Sequence, residues 1–147
     1  MAPGYRSFFI EKKGSGKDKQ QSLAAFQNWD APLHPDIKIL SYTVHKNTWT
    51  INFNEQNDFA KLIGFPGWKA VEILVLDDKG LITEATYVPD DSNPSYKKWL
   101  QPAVDWLQQN KPVELSEVYK DGKLVQTEAT AKKWILLLQL WQENKSH

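Results

Sequence analysis

Cysteine is absent from this chain of 147 residues, and its absence removes several kinds of chemistry at once. Disulfide bonds, thiolate nucleophiles and cysteine-ligated metals are all excluded. Long apolar runs are missing as well, because the longest, Trp134 to Leu138, is far too short to span a bilayer. The first residues show no apolar signal-peptide core before a cleavage site. We therefore expect a soluble, cytoplasmic protein that has no membrane partner.

An excess of charge of either sign is also lacking. Eighteen Lys and Arg residues balance eighteen Asp and Glu residues, so bulk electrostatics gives no reason to expect a nucleic acid partner. The three histidines, His34, His45 and His147, show no metal-ligand spacing, and we expect neither a metal nor a cofactor. The segment from Gly14 to Lys17 lacks the full spacing of a phosphate-binding loop, so a flexible turn is the simpler interpretation.

Aromatic residues are what the chain has in quantity, with seven tryptophans. Each offers a large contact area with one polar atom, which suits a lined cavity or an interface as well as a core. The length fits one domain. A chain of this size buries roughly 68–70% of the surface that its unfolded form exposes, so it can form a sizeable core.

Apolar periodicity and turn residues predict helices at both ends of the chain and strands in the middle. An α+β fold with a curved antiparallel sheet of about four strands follows, because the connections between the strands are hairpin-like. Pro102 lies inside one helical pattern and predicts a kink or a break there. The short helix predicted over residues 59–63 is capped by Asn57 or Asp58 and closed by Gly64. The other predicted helices are residues 5–13, 18–30, 95–110 and 113–119 and a last one capped by Thr127 or Thr130; the predicted strands are 37–45, 48–54 and the hairpin within 65–87.

That hairpin is the most informative segment. Its first strand, around the sequence AVEILVL, is apolar on both faces except for Glu72 and the terminal Lys69. A carboxylate in such a strand needs a partner, a shifted pKa or a wet cavity. Glu72 could form a salt bridge to a Lys or Arg of a neighbouring helix, lie at a wet rim, or face a ligand. These three interpretations stay open at this stage.

Three segments carry a resemblance to a known superfamily: HPDIKI at residues 34–39, LIGFPGWKAVE at 62–72 and DDKGLITEATY at 77–87. Together they resemble the nuclear transport factor 2-like superfamily, and within it the SnoaL-like polyketide-cyclase-like proteins and ketosteroid isomerases. The resemblance covers about residues 8–88. It implies a cystatin-like cone at residues 1–90, a helical extension at 91–147 that the core family lacks, and one domain over the whole chain.

The resemblance also implies roles for residues. Ketosteroid isomerases place a protonated carboxyl eight positions before the glycine of this hairpin, and Glu72 stands eight positions before Gly80. Such a neutral carboxyl donates a hydrogen bond to a developing enolate. Two features of those enzymes are unmatched, because Phe9 stands where the oxyanion tyrosine is expected and the strand with the general-base aspartate is missing. Steroid isomerisation itself is therefore not expected.

The leading hypothesis is a pocket lined by aromatic residues that binds a small apolar organic ligand. In this hypothesis, Glu72 takes part in proton transfer of the isomerase, cyclase or dehydratase type. A second polar group that faces Glu72 would favour catalysis over simple binding. The alternative is a non-catalytic module that carries a ligand or binds another protein. The candidate ligand-binding residues are Trp68, Tyr87, Tyr42, Asn52 and Ala85.

The resemblance further predicts a homodimer that forms through the convex face of the sheet, with Trp49 or Phe53 exposed there. The two helices after residue 90 carry four tryptophans at helical spacing, Trp99, Trp106, Trp134 and Trp141. Each helix should bury one stripe of side chains. These helices would pack on the chain's own sheet, or else cover the cone or bind a partner.

Overall fold

The computed structural model describes residues 1–9 and 16–145. The chain divides into two compact units. The sheet unit comprises Met1–Ala25, Asp36–Glu55 and Trp68–Asn93. The helical unit comprises Phe26–Pro35, Gln56–Gly67 and Pro94–His147, so it includes two segments that precede the predicted extension.

The sheet unit is built on one sheet of six strands in the order β2-β1-β6-β5-β4-β3. The pairs β4–β5 and β5–β6 are antiparallel, whereas β1 runs parallel to β6. The predicted α+β class with a curved, largely antiparallel sheet is confirmed, with six strands in place of about four. The strands are β1 Arg6–Phe9, β2 Lys17–Asp18, β3 Asp36–His45, β4 Thr48–Gln56, β5 Trp68–Leu76 and β6 Ile82–Pro89.

Local turn chemistry fixes the two hairpins. Between β3 and β4, Lys46 adopts a φ of 55°, and the side chain of Asn47 donates to the Leu76 carbonyl at 3.0 Å. Between β5 and β6, one carboxylate oxygen of Asp77 accepts from the backbone N–H groups of Lys79 and Leu81, both at 2.9 Å. Gly80 then adopts a φ of 77°, which an L side chain rarely takes. These turns set which residues of neighbouring strands lie opposite one another.

The helix predicted over residues 5–13 is wrong where the structure describes it. Arg6–Phe9 forms β1, whose backbone pairs with residues 84–87 of β6. Pairing with a strand distant in sequence outweighed the local helical pattern. Residues 10–15 of that prediction, together with most of the Gly14–Lys17 segment, lie outside the described residues.

The second predicted helix, residues 18–30, is interrupted. The helix α1 covers Lys19–Ala25, then a π-helical turn covers Phe26–Asp30 and a 3-10 turn covers Ala31–Leu33. Leu23 and Phe26 of this segment are exposed, whereas Trp29 is half-buried and its ring lies 6.4 Å from that of Phe59, between centroids. Within this segment the tight turn places Leu33 in the core with no exposed surface.

The helical unit contains four helices and a small two-stranded sheet. Its second helix in chain order, α3, continues past Pro102 as one helix, so of the two predicted outcomes, a kink or a break, the break does not occur. Its core joins side chains from all three segments of the unit, and the most buried are Leu33, Phe59, Phe65, Leu100, Leu107, Val118, Trp134 and Leu138. The elements are α2 Asp58–Ile63, α3 Tyr96–Asn110, α4 Pro112–Val118, β7 Tyr119–Lys120, β8 Lys123–Leu124 and α5 Glu128–Lys145.

Helix ends in this unit follow the predicted capping chemistry. The side chain of Asn57 accepts the N–H of Ala60 at 2.9 Å at the start of α2, and Gly64 ends that helix in the left-handed conformation. The hydroxyl of Thr127 accepts the N–H of Thr130 at 3.1 Å before α5. Among the described residues, no helix combines the length and apolar character that crossing a membrane requires.

The tryptophans after residue 90 divide into two groups. Trp134 and Trp141 are buried, as the stripe of α5 predicts. On α3, Leu100, Ala103 and Leu107 form the buried stripe, whereas Trp106 is half-buried and Trp99 keeps 40% of its surface exposed. The buried stripe of α3 is therefore aliphatic, and its tryptophans lie at the edges.

Candidate functional site

One face of the sheet carries the residues that the sequence selected around Glu72. Side chains alternate along each strand, and directly paired residues lie on the same face. Glu72 is paired with Ile51 of β4 on one side and with Tyr87 of β6 on the other. We call this surface the Glu72 face; by register it comprises Trp68, Ala70, Glu72 and Leu74 of β5, Trp49, Ile51, Phe53 and Glu55 of β4, and Ala85 and Tyr87 of β6.

Glu72 is half-buried on this face, and burial raises the pKa of its carboxyl above the ordinary value of 4.5. Burial acts in this direction because a charged carboxylate loses hydration. Within residues 1–9 and 16–145, its carboxyl makes neither a hydrogen bond nor an ion pair. A salt bridge to a Lys or Arg of these residues, one of the interpretations left open by the sequence, is therefore not present.

Tyr87 is the second polar group close to Glu72. Burial raises the pKa of the Tyr87 hydroxyl, and the negative charges of Glu55 and Glu72 raise it further. Both carboxylates therefore act electrostatically on this phenol. The ring of Phe53 meets the Tyr87 ring edge-on, at 6.2 Å between centroids and 60° between planes. This contact supports the phenol from the neighbouring apolar side of the face.

Small side chains flank the two polar groups. Ala70 precedes Glu72 by two positions on β5, and Ala85 precedes Tyr87 by two positions on β6. Both alanines are buried, as is Phe53 with 5% exposure. The prediction that Phe53 is exposed for dimer formation is therefore wrong, because strand register turns it onto the buried face. Trp49 at 37% exposure remains accessible.

Tyr42 and Trp68 lie further from Glu72. Tyr42 belongs to the edge strand β3, is 61% exposed, and stacks on Trp49 at 5.9 Å between ring centroids. Trp68 begins β5 and is paired with Glu55, at the end of the strand. The structure therefore places Tyr42 near the start of β4, beside Trp49, and Trp68 near the end of β4, beside Glu55.

Asn52 lies on the other face of the sheet. It is paired with Val71, and its amide donates to the hydroxyl of Ser41 at 3.0 Å. It also lines a small cavity of about 170 Å³ together with Leu40 and Lys69. Glu72, Tyr87 and Ala85 are brought together on one face, and Asn52 is not among them.

Sequence reasoning missed Glu55. The sequence did indicate its side of the strand, because the alternation of Trp49, Ile51 and Phe53 continues to Glu55 on the same side of β4. This residue supplies a second carboxylate on the Glu72 face. No group of three or more His, Cys, Asp or Glu side chains suitable for a metal ion occurs within the described parts of the chain.

Comparison with solved structures gives similar folds at low sequence identity. A protein from Kribbella flavida DSM 17836 matches with a TM-score of 0.51 and 16% identity, over 71% of this chain and 78% of that one. The fold is nuclear transport factor 2-like. No family model and no curated protein matches the chain.

Two further matches have lower TM-scores. A protein from Jannaschia sp. CCS1, assigned to the SnoaL-like polyketide cyclases, matches with a TM-score of 0.45 and 19% identity, over 61% of this chain and 67% of that one. A de novo designed NTF2-fold protein matches with a TM-score of 0.45 and 18% identity, over 69% of this chain and 70% of that one. The nuclear transport factor 2-like fold accommodates many unrelated functions, so the fold by itself assigns none of them.

Proposed function

We propose that the protein binds a small apolar organic ligand on the Glu72 face, with the protonated carboxyl of Glu72 donating a hydrogen bond to a carbonyl oxygen of the ligand. The observation that carries this proposal is a half-buried carboxyl with a raised pKa, paired across the strand with Tyr87. A carboxyl that has no hydrogen-bond or ion-pair partner among the described residues, next to buried apolar side chains, fits a hydrogen-bond donor for a ligand.

A second carboxyl on the same face, that of Glu55, also supports proton transfer. A neutral Glu72 would stabilise the oxygen of a developing enolate, as an acid does in an isomerase, cyclase or dehydratase. Glu55 would accept the proton from the carbon next to the carbonyl. The proton then leaves carbon for Glu55 while the oxygen receives a hydrogen bond from Glu72. Tyr87 lies across from Glu72 and would orient the ligand oxygen.

The binding test uses a bicyclic ketone, 2-tetralone, and its hydrocarbon analogue tetralin, which lacks the oxygen. We expect 2-tetralone to bind the wild type more tightly than tetralin does, and Glu72→Leu to weaken 2-tetralone about fivefold or more, the usual size of one lost hydrogen bond. Glu84→Leu is the matched control, because Glu84 is exposed on the other face of β6. Equal binding of both compounds to wild type and Glu72→Leu would contradict the proposal.

The catalytic test follows the exchange of the α-protons of 2-tetralone in heavy water by NMR. We expect the wild type to accelerate exchange, and Glu72→Gln and Glu55→Gln each to reduce that acceleration at least about a hundredfold, in line with typical general acid–base contributions. Glu84→Gln should leave the rate unchanged. Binding of 2-tetralone without any acceleration would favour the ligand-carrier alternative over catalysis.

One observation favours a second function, the binding of another protein chain. All ten residues of the edge strand β3 are exposed, including Ile37, Ile39, Leu40, Tyr42 and Val44. An exposed apolar edge strand presents unpaired backbone groups to a further strand. We propose a second copy of this chain as its partner, which would give a homodimer. A cytoplasmic location and the lack of a nucleic acid partner stay predictions.

A further inference from the structure

A second cavity lies in the helical unit, where the end of α2 meets α3 and α5. Its volume is about 550 Å³, within the range of small-molecule sites. The residues that form its walls and rim include Gly64, Trp99, Pro102 and Trp141, with Lys98 and Lys145. We call this cavity the tryptophan groove. Apart from Ile63 and Gly64, its lining residues belong to the segment after residue 90 that the resemblance left unexplained.

Its walls are largely apolar. The ring of Trp99 makes an edge-on contact with Phe65, at 6.4 Å between centroids, yet it stays 40% exposed. A Cβ added at position 64 would lie 3.9 Å from two atoms of that ring, which is an ordinary van der Waals contact. Trp141 is buried and contributes a second aromatic side chain to the lining. The ring of Trp99 therefore offers an apolar surface to a ligand.

The charged groups of the groove are both positive. Lys145 places its Nζ 4.9 Å from the ring centroid of Trp141, and Lys98 lies on the exposed side of α3. No Asp or Glu is among the lining residues, and within the described chain neither lysine forms an ion pair. Two cations above apolar aromatic walls complement a ligand that joins an apolar body to a negative charge.

We propose that the tryptophan groove binds a small amphipathic carboxylate, with its apolar part between Trp99 and Trp141 and its carboxylate at Lys98 and Lys145. This site is separate from the Glu72 face and lies in the other unit of the chain. The carboxylate gains charge-assisted hydrogen bonds from two ammonium groups, and the flat body replaces water on the exposed part of the Trp99 ring. The proposal does not depend on the function proposed above.

The test compares 1-naphthoate with its neutral analogue 1-naphthamide by calorimetry and by NMR of the tryptophan indole N–H signals. We expect 1-naphthoate to bind more tightly and to shift the signals of Trp99 and Trp141. The double variant Lys98→Gln/Lys145→Gln should weaken 1-naphthoate about tenfold, since each exposed ion pair contributes a factor of roughly two to five. Affinity for 1-naphthamide should change little, and added salt should weaken only the anion.

The control is Lys97→Gln/Lys123→Gln, which removes the same charge from exposed positions outside the groove. It should leave 1-naphthoate affinity within about twofold of wild type, as for surface substitutions in general. All four substitutions are at the surface, and unchanged thermal unfolding confirms that the variants fold. The proposal is overturned if the two double variants weaken 1-naphthoate equally, if 1-naphthamide binds as tightly, or if Trp99 and Trp141 do not shift.

Discussion

Glu72 shows at the scale of one residue how burial converts a carboxylate into a candidate acid. Its position in an apolar strand was predictable from the sequence, because the residues on both faces of β5 are apolar apart from Glu72 and Lys69. Tyr87 was a candidate ligand-binding residue through the resemblance, and strand pairing places it directly across from Glu72. The presence of Glu55 on the Glu72 face could not be predicted in the same way. It depends on the register between β4 and β5, and the turn at Asp77 sets only the register between β5 and β6.

The pH dependence of stability tests the burial of Glu72. Its pKa is higher in the folded chain than the ordinary 4.5, so the folded state holds the proton more tightly. The wild type therefore loses stability as the pH rises from below 4.5 through the raised folded value, and the loss is constant above it. Glu72→Gln removes this loss. We expect it to raise the urea unfolding midpoint near neutral pH and to have no effect in acid.

The matched variant for this measurement is Glu84→Gln, on the same hairpin and exposed. The difference in urea unfolding midpoint between Glu84→Gln and the wild type should stay the same from acid to neutral pH, whereas the difference for Glu72→Gln should grow. If Glu72→Gln is destabilising at neutral pH, the carboxylate has a favourable partner, and the assignment of Glu72 as a neutral donor fails.

Elements differ in how far their own sequence determines them. The helix α2 was predicted with its ends because Asn57 and Gly64 are local capping residues. The strand β1 was predicted as a helix because its partner β6 lies more than seventy positions further along the chain. The assignment of Asn52 to the same site as Glu72 also failed on a long-range feature, since the face that a strand residue occupies depends on the register between strands.

The helix α5 supplies a stability prediction. Trp134 is fully buried, its indole N–H donates to the Val118 carbonyl at 3.2 Å, and its ring meets Phe59 edge-on at 5.7 Å. We expect Trp134→Ala to lower the free energy of unfolding by roughly 3–5 kcal/mol through the cavity that it leaves. Trp106→Ala, at a half-buried position of α3, should cost less. A loss below about 1 kcal/mol for Trp134→Ala would place this ring at the surface.

The edge strand β3 supplies a prediction about assembly. If two copies pair through it, lysines at Ile39 and Tyr42 place charge in the interface, and we expect Ile39→Lys/Tyr42→Lys to weaken the dimer about a hundredfold or more. Sedimentation equilibrium of the wild type and the variant measures this. Leu136→Lys is the control, since Leu136 is an exposed apolar residue of α5 in the helical unit. A monomeric wild type at micromolar concentration would show that β3 does not join two copies.

At the scale of the whole molecule, the chain divides into a sheet unit and a helical unit, and the most buried side chains of the chain belong to the helical unit. The strands β3 to β6 and the helices α2 to α5 were predictable from apolar periodicity and turn residues, whereas β1 and the interruption of the helix predicted over residues 18–30 were not. The composition of the helical unit was not, because it brings together three segments that are distant in sequence. A shared fold leaves the reaction open. The proposed function therefore depends on whether Glu72 is protonated.

That state can be observed directly by NMR of the Glu72 side-chain carboxyl carbon as the pH is varied, with and without 2-tetralone. We predict a titration midpoint above the ordinary 4.5 in the free protein. The midpoint should rise further with 2-tetralone, because a ketone accepts a hydrogen bond only from the protonated carboxyl. A midpoint at the ordinary value, unchanged by 2-tetralone, would contradict a neutral Glu72 donor and with it the proposed function.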